Sequence, residues 1–328
     1  MKELIKTKNF ALIFSHQGPD GDSVGSSVAL SIYLSKIGVE NKIIFPDPYP
    51  HFFSWITGIN NSIVASENLE KVEQLYDASD LIFCLDFNHR SRVGKALQEL
   101  ISRTNNKYIF VIDHHTHPEN FGNYEIIDEN ASSTAELIYK FIDSNNDLSL
   151  VDIPISEAIY TGIITDTGSF KYSSVTSTTH QIAAFLKDKG LNQVVIHDKI
   201  FNQNSVSKIN LLGYALQKIK IEESVSLALL FLTEKELNMF NYQKGDSEGF
   251  VNYCLSIKGI ENAVFLREDK DIIKISLRSK GKVKVNEFSS KFYEGGGHQN
   301  AAGAAVKNQD MNTVVKELIQ NFKVFCSE

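Results

Sequence analysis

Cysteine is scarce. The three present in 328 residues, Cys84, Cys254 and Cys326, sit at unrelated positions, which excludes a disulfide framework or a zinc knuckle and leaves reduced thiols, Cys84 packed in a strand. No apolar run is long enough to span a bilayer. The opening Met1-Lys2-Glu3-Leu4-Ile5-Lys6 lacks the apolar core of a signal peptide. A basic surplus is missing as well: the formal charge is −7, so the surface does not grip long nucleic acid everywhere and a polyanionic substrate must meet a local patch. Nor does any aromatic-rich strip track a long single strand; Phe292 and Tyr293 could stack one base, although packing is the simpler role. What is present, 42% hydrophobic and 22% charged residues, describes a soluble, cytoplasmic protein long enough for two domains, each with its own core.

The chain is organised around Ile109-Phe110-Val111-Ile112-Asp113-His114-His115. Four apolar residues ending in an acid and two imidazoles are how a buried parallel strand delivers polar groups to its carboxyl edge, where open α/β sheets place their chemistry. On an extended backbone adjacent side chains point to opposite sides, so His114 and His115 are expected to divide the work, one ligating and one facing substrate. Two earlier segments repeat the pattern. Phe10 to Phe14 reads as a strand, followed by a tight loop with His16, Asp20 and Asp22, and by an amphipathic helix to about Ile37 capped by Ser23 or Asp22. An imidazole and two carboxylates so close together repel and raise one another's pKa unless a cation sits among them. Leu81 to Leu85 likewise ends in Asp86, with Asn88, His89, Arg90 and Arg92 following.

Further on, Ala131-Ser132-Ser133-Thr134-Ala135-Glu136 reads as a capped helix start with main-chain N–H groups left for an anion. Ile155 to Ile164 reads as a helix, with Asp166 in the Gly-containing turn after it. Alternating strands and helices up to about residue 190 give the fold class: α/β, a doubly wound, mostly parallel sheet covered by helices. Residues 191–223 read as a helical connector in which His197, like the earlier His180, lacks partners. Residues 224–328 read as a smaller second α/β domain.

In that domain Val225 to Leu232 forms a strand, and Ala263 to Arg267 with Ile272 to Arg278 form a hairpin around Asp269-Lys270-Asp271. Five basic residues and no acid lie between Lys274 and Lys284. Then Glu294-Gly295-Gly296-Gly297-His298 opens a helix whose glycines let main-chain N–H groups approach an anion.

His16-x-x-x-Asp20-x-Asp22, Asp86 after a strand, Asp113-His114-His115 and Asp166 in Thr-Asp-Thr-Gly resemble, in order and spacing, the motifs of the DHH phosphoesterase superfamily. The resemblance implies one metal ion held by His16, Asp20 and Asp86 and a second by Asp22, Asp86, His114 and Asp166, with Asp86 bridging. It also implies that Asp113 orients His114 through its ring N–H while His115 touches the phosphate. Carboxylates with imidazoles suit Mn²⁺, with Mg²⁺ or Co²⁺ in its place. Gly295-Gly296-Gly297-His298 with Ala301-Ala302-Gly303, and the strand Ser276-Leu277-Arg278-Ser279, resemble the DHHA1 substrate-binding domain. There Arg278, Ser279, Gly296, Gly297 and His298, joined by Arg267, are implied to hold phosphate or base.

Together the two domains are similar to nanoRNase/pAp-phosphatases. The resemblance implies two-metal hydrolysis of short oligoribonucleotides and 3′-phosphoadenosine 5′-phosphate (pAp) in a cleft between the domains, no membrane partner, and a homodimer allowed. Ser169 stands where many relatives have Arg, which bears on substrate preference. A linear or cyclic dinucleotide phosphodiesterase shares both domains. An inorganic pyrophosphatase would lack Gly295 to Gly303. A non-catalytic nucleotide sensor would not need all six ligand positions.

Overall fold

The computed structural model describes residues 2–103, 107–243 and 245–327, without the His298 side chain. The chain divides into two compact units, residues 1–203 and 204–328. The boundary falls within the segment 191–223.

The first unit contains β1 (Phe10–Phe14), β2 (Glu40–Phe45), β3 (Ser62–Val64), β4 (Leu81–Leu85), β5 (Tyr108–Asp113) and β6 (Tyr124–Ile127). Its helices are α1 (Lys2–Lys6), α2 (Gly21–Lys36), α3 (Leu69–Ala78), α4 (Lys95–Ile101), α5 (Thr134–Ser144), α6 (Ile153–Asp166), α7 (Ser177–Asp188) and α8 (Gln193–Phe201). The strands pair in the order β3-β2-β1-β4-β5-β6, every pair parallel. This is the expected doubly wound sheet. Its order reverses between β1 and β4, and such sheets bind ligands at the carboxyl ends of those two strands.

Side-chain alternation divides the core. Ala11 and Ile13 of β1 and Leu81, Phe83 and Leu85 of β4 face one layer, packed with residues of α2, α5 and α6. Leu12, Phe14, Ile82 and Cys84 face the other, with Val72 and Tyr76 of α3 and Leu97, Leu100 and Ile101 of α4. Helix α2 is not amphipathic as expected: it is buried on nearly all sides from Gly21 to Leu34. Small residues permit this, because α6 lies directly on it. A Cβ on Gly25 would stand 2.4 Å from the Ala158 carbonyl oxygen.

The second unit has β7 (Lys220–Glu222), β8 (Leu227–Leu232), β9 (Asn262–Asp269), β10 (Ile272–Ser279), β11 (Gly296–His298) and β12 (Ala301–Lys307), with α9 (Val206–Leu216), α10 (Glu234–Met239), α11 (Phe250–Leu255), α12 (Val285–Tyr293) and α13 (Met311–Ser327). They form one sheet, β11-β12-β10-β9-β8-β7, in which only β8 and β9 run parallel. The expected β9–β10 hairpin is present, Ile272 opposite Asp269, with Lys270 in the left-handed region that a two-residue turn requires.

The glycine run does not open a helix. Gly296, Gly297 and His298 form β11, paired antiparallel with Gly303, Ala302 and Ala301. Glycine is needed for close approach: a Cβ on Gly297 would lie 2.4 Å from the Ala301 carbonyl oxygen, at φ +140°.

Candidate functional site

The loops after β1, β4 and β5 and the facing ends of α5 and α6 bring the first unit's polar residues together. His16 follows β1, and its Nδ1 lies 2.9 Å from the Gln17 carbonyl oxygen. A carbonyl only accepts, so Nδ1 carries a proton, and Nε2 faces Asp86 Oδ2 at 3.3 Å and Asp20 Oδ1 at 3.8 Å, to which it donates when the ring is protonated. The cap of α2 is Asp20, not Ser23 or Asp22: its Oδ1 accepts from the N–H groups of Asp22 and Ser23, both at 3.1 Å.

Asp22, in the first turn of α2, is buried and reaches across to α5. Its Oδ2 accepts from Thr134 N–H at 2.6 Å and its Oδ1 from Ala135 N–H at 2.9 Å. The N–H groups expected to await an anion at this helix start are therefore occupied by the protein's own carboxylate. Sequence spacing could not reveal this, because the partner lies more than a hundred residues away.

Asp86 is the hinge of the cluster. It adopts φ +64°, uncommon for a residue with a side chain, which turns its buried carboxylate across the end of β4. Oδ2 faces His16, whereas Oδ1 lies 3.7 Å from His114 Nε2 and accepts from Thr134 Oγ1 at 3.0 Å. The Thr134 hydroxyl on Asp86 is a contact that sequence reading assigned only to capping.

Asp113 and the two histidines differ from expectation. Asp113 Oδ1 pairs with His115 Nδ1 at 2.7 Å, not with His114. The His114 ring instead lies with Nδ1 3.4 Å from the Ala131 carbonyl oxygen and Nε2 3.4 Å from Asp166 Oδ2. Strand β5 ends at Asp113, so strand alternation does not govern the following pair, and both rings turn toward Asp86, their centroids 4.7 Å apart. Asn88 fixes their loop, its Nδ2 donating to the His115 carbonyl oxygen at 2.6 Å. Asp166 is the last residue of α6 rather than part of the turn beyond it.

The electrostatics reflect crowded acids. Burial and the charges of Asp86, Asp166 and Asp20 raise Asp22 well above the carboxylate range. Burial also pushes Asp166 up to about 7, Asp86 and Asp20 adding to it while His114 opposes. Burial would raise Asp86 too, but hydrogen bonding to His16 and the positive imidazoles hold it low. For His16, burial is outweighed by hydrogen bonds to Asp20 and Asp86, which raise it to about 10. His115 is likewise raised, Asp113 and Asp86 overcoming burial.

Three sets have ligand atoms within 4.8 Å of one another: His16, Asp20 and Asp86; Asp22, His114 and Asp166; and Asp86, His114 and His115. Carboxylate and imidazole donors without a thiolate fit hard or borderline divalent ions. A cation there would offset the burial and the repulsion that together raise Asp22 and Asp166.

Outside this cluster, His197 does have partners. Its Nδ1 donates to the Gln193 carbonyl oxygen at 2.9 Å and its Nε2 accepts from Ser169 Oγ at 3.0 Å. Ser169 lies in a turn where Gly168, Ser169 and Phe170 all have positive φ. His180 stacks on Phe170, centroids 5.3 Å apart.

In the second unit, Arg267 Nη1 donates to the Tyr242 hydroxyl and to Ser247 Oγ, and its guanidinium lies over the Tyr242 ring. Ser279 is buried and donates to the Val283 carbonyl oxygen at 2.8 Å. Arg278 Nη1 donates to the Leu277 carbonyl oxygen at 2.9 Å. Register places His298, Ala301 and Arg278 in one row across β11, β12 and β10. Gly296 has open space where a side chain would stand.

Comparison with known proteins agrees with this architecture. Residues 11–163 match the DHH family, N-terminal domain, and residues 225–324 match the DHHA1 domain. The bifunctional oligoribonuclease and PAP phosphatase NrnA of Thermus thermophilus is 28% identical, covering 94% of this chain and 87% of its own. The protein of the same name from Bacillus subtilis is 26% identical over 99% of this chain and 98% of its own. The crystal structure of an exopolyphosphatase-related protein from Bacteroides fragilis superposes with a TM-score of 0.95 at 36% identity, covering 99% of this chain and 96% of that one. The chain belongs to the DHH family of phosphoesterases and carries a DHHA1 domain in its second unit.

Proposed function

We propose that this protein hydrolyses short oligoribonucleotides and pAp, the activities in the names of its NrnA relatives, with two Mn²⁺ ions in the cytoplasm. The observation that carries the reading is the division of Asp86: one carboxylate oxygen faces His16 and the other faces His114. One set, His16, Asp20 and Asp86, would hold the first ion, and Asp22, Asp86, His114 and Asp166 the second. Divalent ions so held supply charge that acidifies a water and neutralises phosphoryl oxygens.

The remaining roles belong to the chain. Asp113 keeps a proton on His115 Nδ1 and fixes the ring. Asp113 and Asp86 raise the His115 imidazole against burial, which favours the protonated ring that donation to a leaving alkoxide oxygen requires. Thr134 and Ala135 N–H groups hold the Asp22 carboxylate in place. In the DHHA1 domain, Arg278 and His298, sharing a register row beside the glycine strand, are assigned to substrate phosphate or base. Gly296 leaves the row accessible, and Gly297 lets β11 and β12 close together. Arg267 and Ser279, engaged internally, shape that surface rather than contact substrate.

The test is product release with Mn²⁺ from pAp, pApA, a five-nucleotide RNA, cyclic di-AMP and pyrophosphate, beside Asp86→Ala. Preferential turnover of pAp and short RNA, abolished in the variant, is expected. Turnover of pyrophosphate alone, or of cyclic di-AMP in clear preference to pAp and RNA, would overturn the substrate assignment.

A further inference from the structure

The acid-rich cluster raises a question of charge: which fixed cation in the first unit meets a phosphate there. The 3₁₀ turn Arg90–Val93, which follows Asp86, contains two arginines with contrasting environments. Arg90 is engaged: Nη1 pairs with Glu119 Oε1 at 2.6 Å, its main-chain N–H donates to Glu119 Oε2 at 2.7 Å, and its guanidinium lies 4.5 Å from the Phe121 ring centroid. Arg92 is exposed, and its guanidinium has no hydrogen-bond or ion-pair partner among the described residues.

Its main chain, by contrast, is fixed to the site. The Arg92 carbonyl oxygen accepts from Gln17 N–H at 2.7 Å, which ties the turn to the residue after His16. Gly94, at φ +80°, brings the chain against the Gln17 side chain, where a Cβ would stand 3.2 Å from Gln17 Nε2. An exposed guanidinium on a turn anchored to the residue after His16 is placed to meet an incoming anion.

We propose that Arg92 receives a phosphate of the substrate at the metal cluster, its planar fork matching two phosphoryl oxygens. This rests on the phosphoester-hydrolysing reading above and adds a residue to it. Arg92 is thereby a binding residue that sets KM, while Asp86 and His115 set kcat.

The experiment compares wild-type protein with Arg92→Ala and Arg92→Gln. Binding of inorganic phosphate and of adenosine 5′-monophosphate is followed by titration calorimetry with Mn²⁺ present, together with KM and kcat for pAp. Both variants should bind each anion about tenfold to a hundredfold more weakly, with KM for pAp rising by a similar factor and Mn²⁺ stoichiometry unchanged. Anion affinity equal to wild type in a folded variant would overturn the proposal, because the main-chain bond to Gln17 survives either substitution. Arg92→Gln, which keeps the side chain's length and polarity, decides the matter if Arg92→Ala folds poorly. Calorimetry does not depend on turnover. A wild type that binds these anions through Arg92 yet cleaves no phosphoester would contradict the enzymatic reading and not the arginine's role.

Discussion

Asp113 Oδ1 stands 2.7 Å from His115 Nδ1, and the other oxygen of this fully buried carboxylate has no partner among the described residues. Asp113 is therefore given over to one imidazole. Partners that orient a working imidazole are commonly worth tenfold to a hundredfold in activity. Asp113→Asn should lower kcat for pAp by about that factor while leaving far-ultraviolet circular dichroism unchanged. A kcat equal to wild type would show that His115 needs no such orientation.

Titration of the cluster gives a pH signature. His16 is raised from its ordinary 6.5 to about 10, against the pull of burial. Its contribution to the metal-free protein's stability is complete below pH 6.5 and fades as pH rises through about 10. Asp166, raised from 3.8 to about 7 by burial first, is costly when charged, so stability also falls as pH climbs through that interval. Metal-free protein should thus melt at a lower temperature at pH 9 than at pH 6. Metal binding needs both groups deprotonated, so Mn²⁺ affinity should rise over the same interval and binding should release protons. Calorimetry in two buffers of different ionisation enthalpy measures that release; none detected at pH 6 would contradict the assignment.

The contact between α2 and α6 carries the site. A Cβ on Gly162 would lie 2.4 Å from Ala135 Cβ and 2.7 Å from Asp22 Oδ1. Gly162→Ala should destabilise the fold by about 1–3 kcal/mol, the usual result of overpacking, and should weaken metal binding by displacing Asp22. Gly213, in α9, has nothing within 4 Å of such an atom. Gly213→Ala should stabilise by a few tenths to about 1 kcal/mol through chain entropy. Equal thermal shifts in the two variants would refute this distinction.

Thr134 serves twice, its N–H on Asp22 and its hydroxyl on Asp86. Thr134→Val removes only the hydroxyl and should reduce Mn²⁺ affinity by about tenfold, whereas Thr134→Ser should retain it. Calorimetric affinities that do not separate Val from Ser would deny the hydroxyl this role.

Much of the fold was legible because the same local pattern recurs. Phe10 to Phe14, Leu81 to Leu85 and Ile109 to Ile112 each run apolar into a polar loop, and parallel strands buried on both faces require such runs. What escaped was set by partners distant in sequence. The α5 N–H groups could be read as free only because Asp22 lies far away along the chain. The histidines were placed by strand alternation, yet β5 stops one residue before them. Gly295 to Gly297 suits a helix start as well as a strand, and only pairing with Ala301 to Gly303 decides for the strand. The burial of α2 likewise depends on α6, whose approach its own sequence does not announce.

Asp86 is proposed to join the two ligand sets, and crystals grown with Mn²⁺ test that proposal most directly through anomalous scattering at the manganese edge. Two peaks about 3.5–4 Å apart are predicted, one beside His16 and Asp20 and the other beside Asp22, His114 and Asp166, with Asp86 between them. Both should vanish in Asp86→Ala. A single ion, or ions that persist without Asp86, would contradict the account.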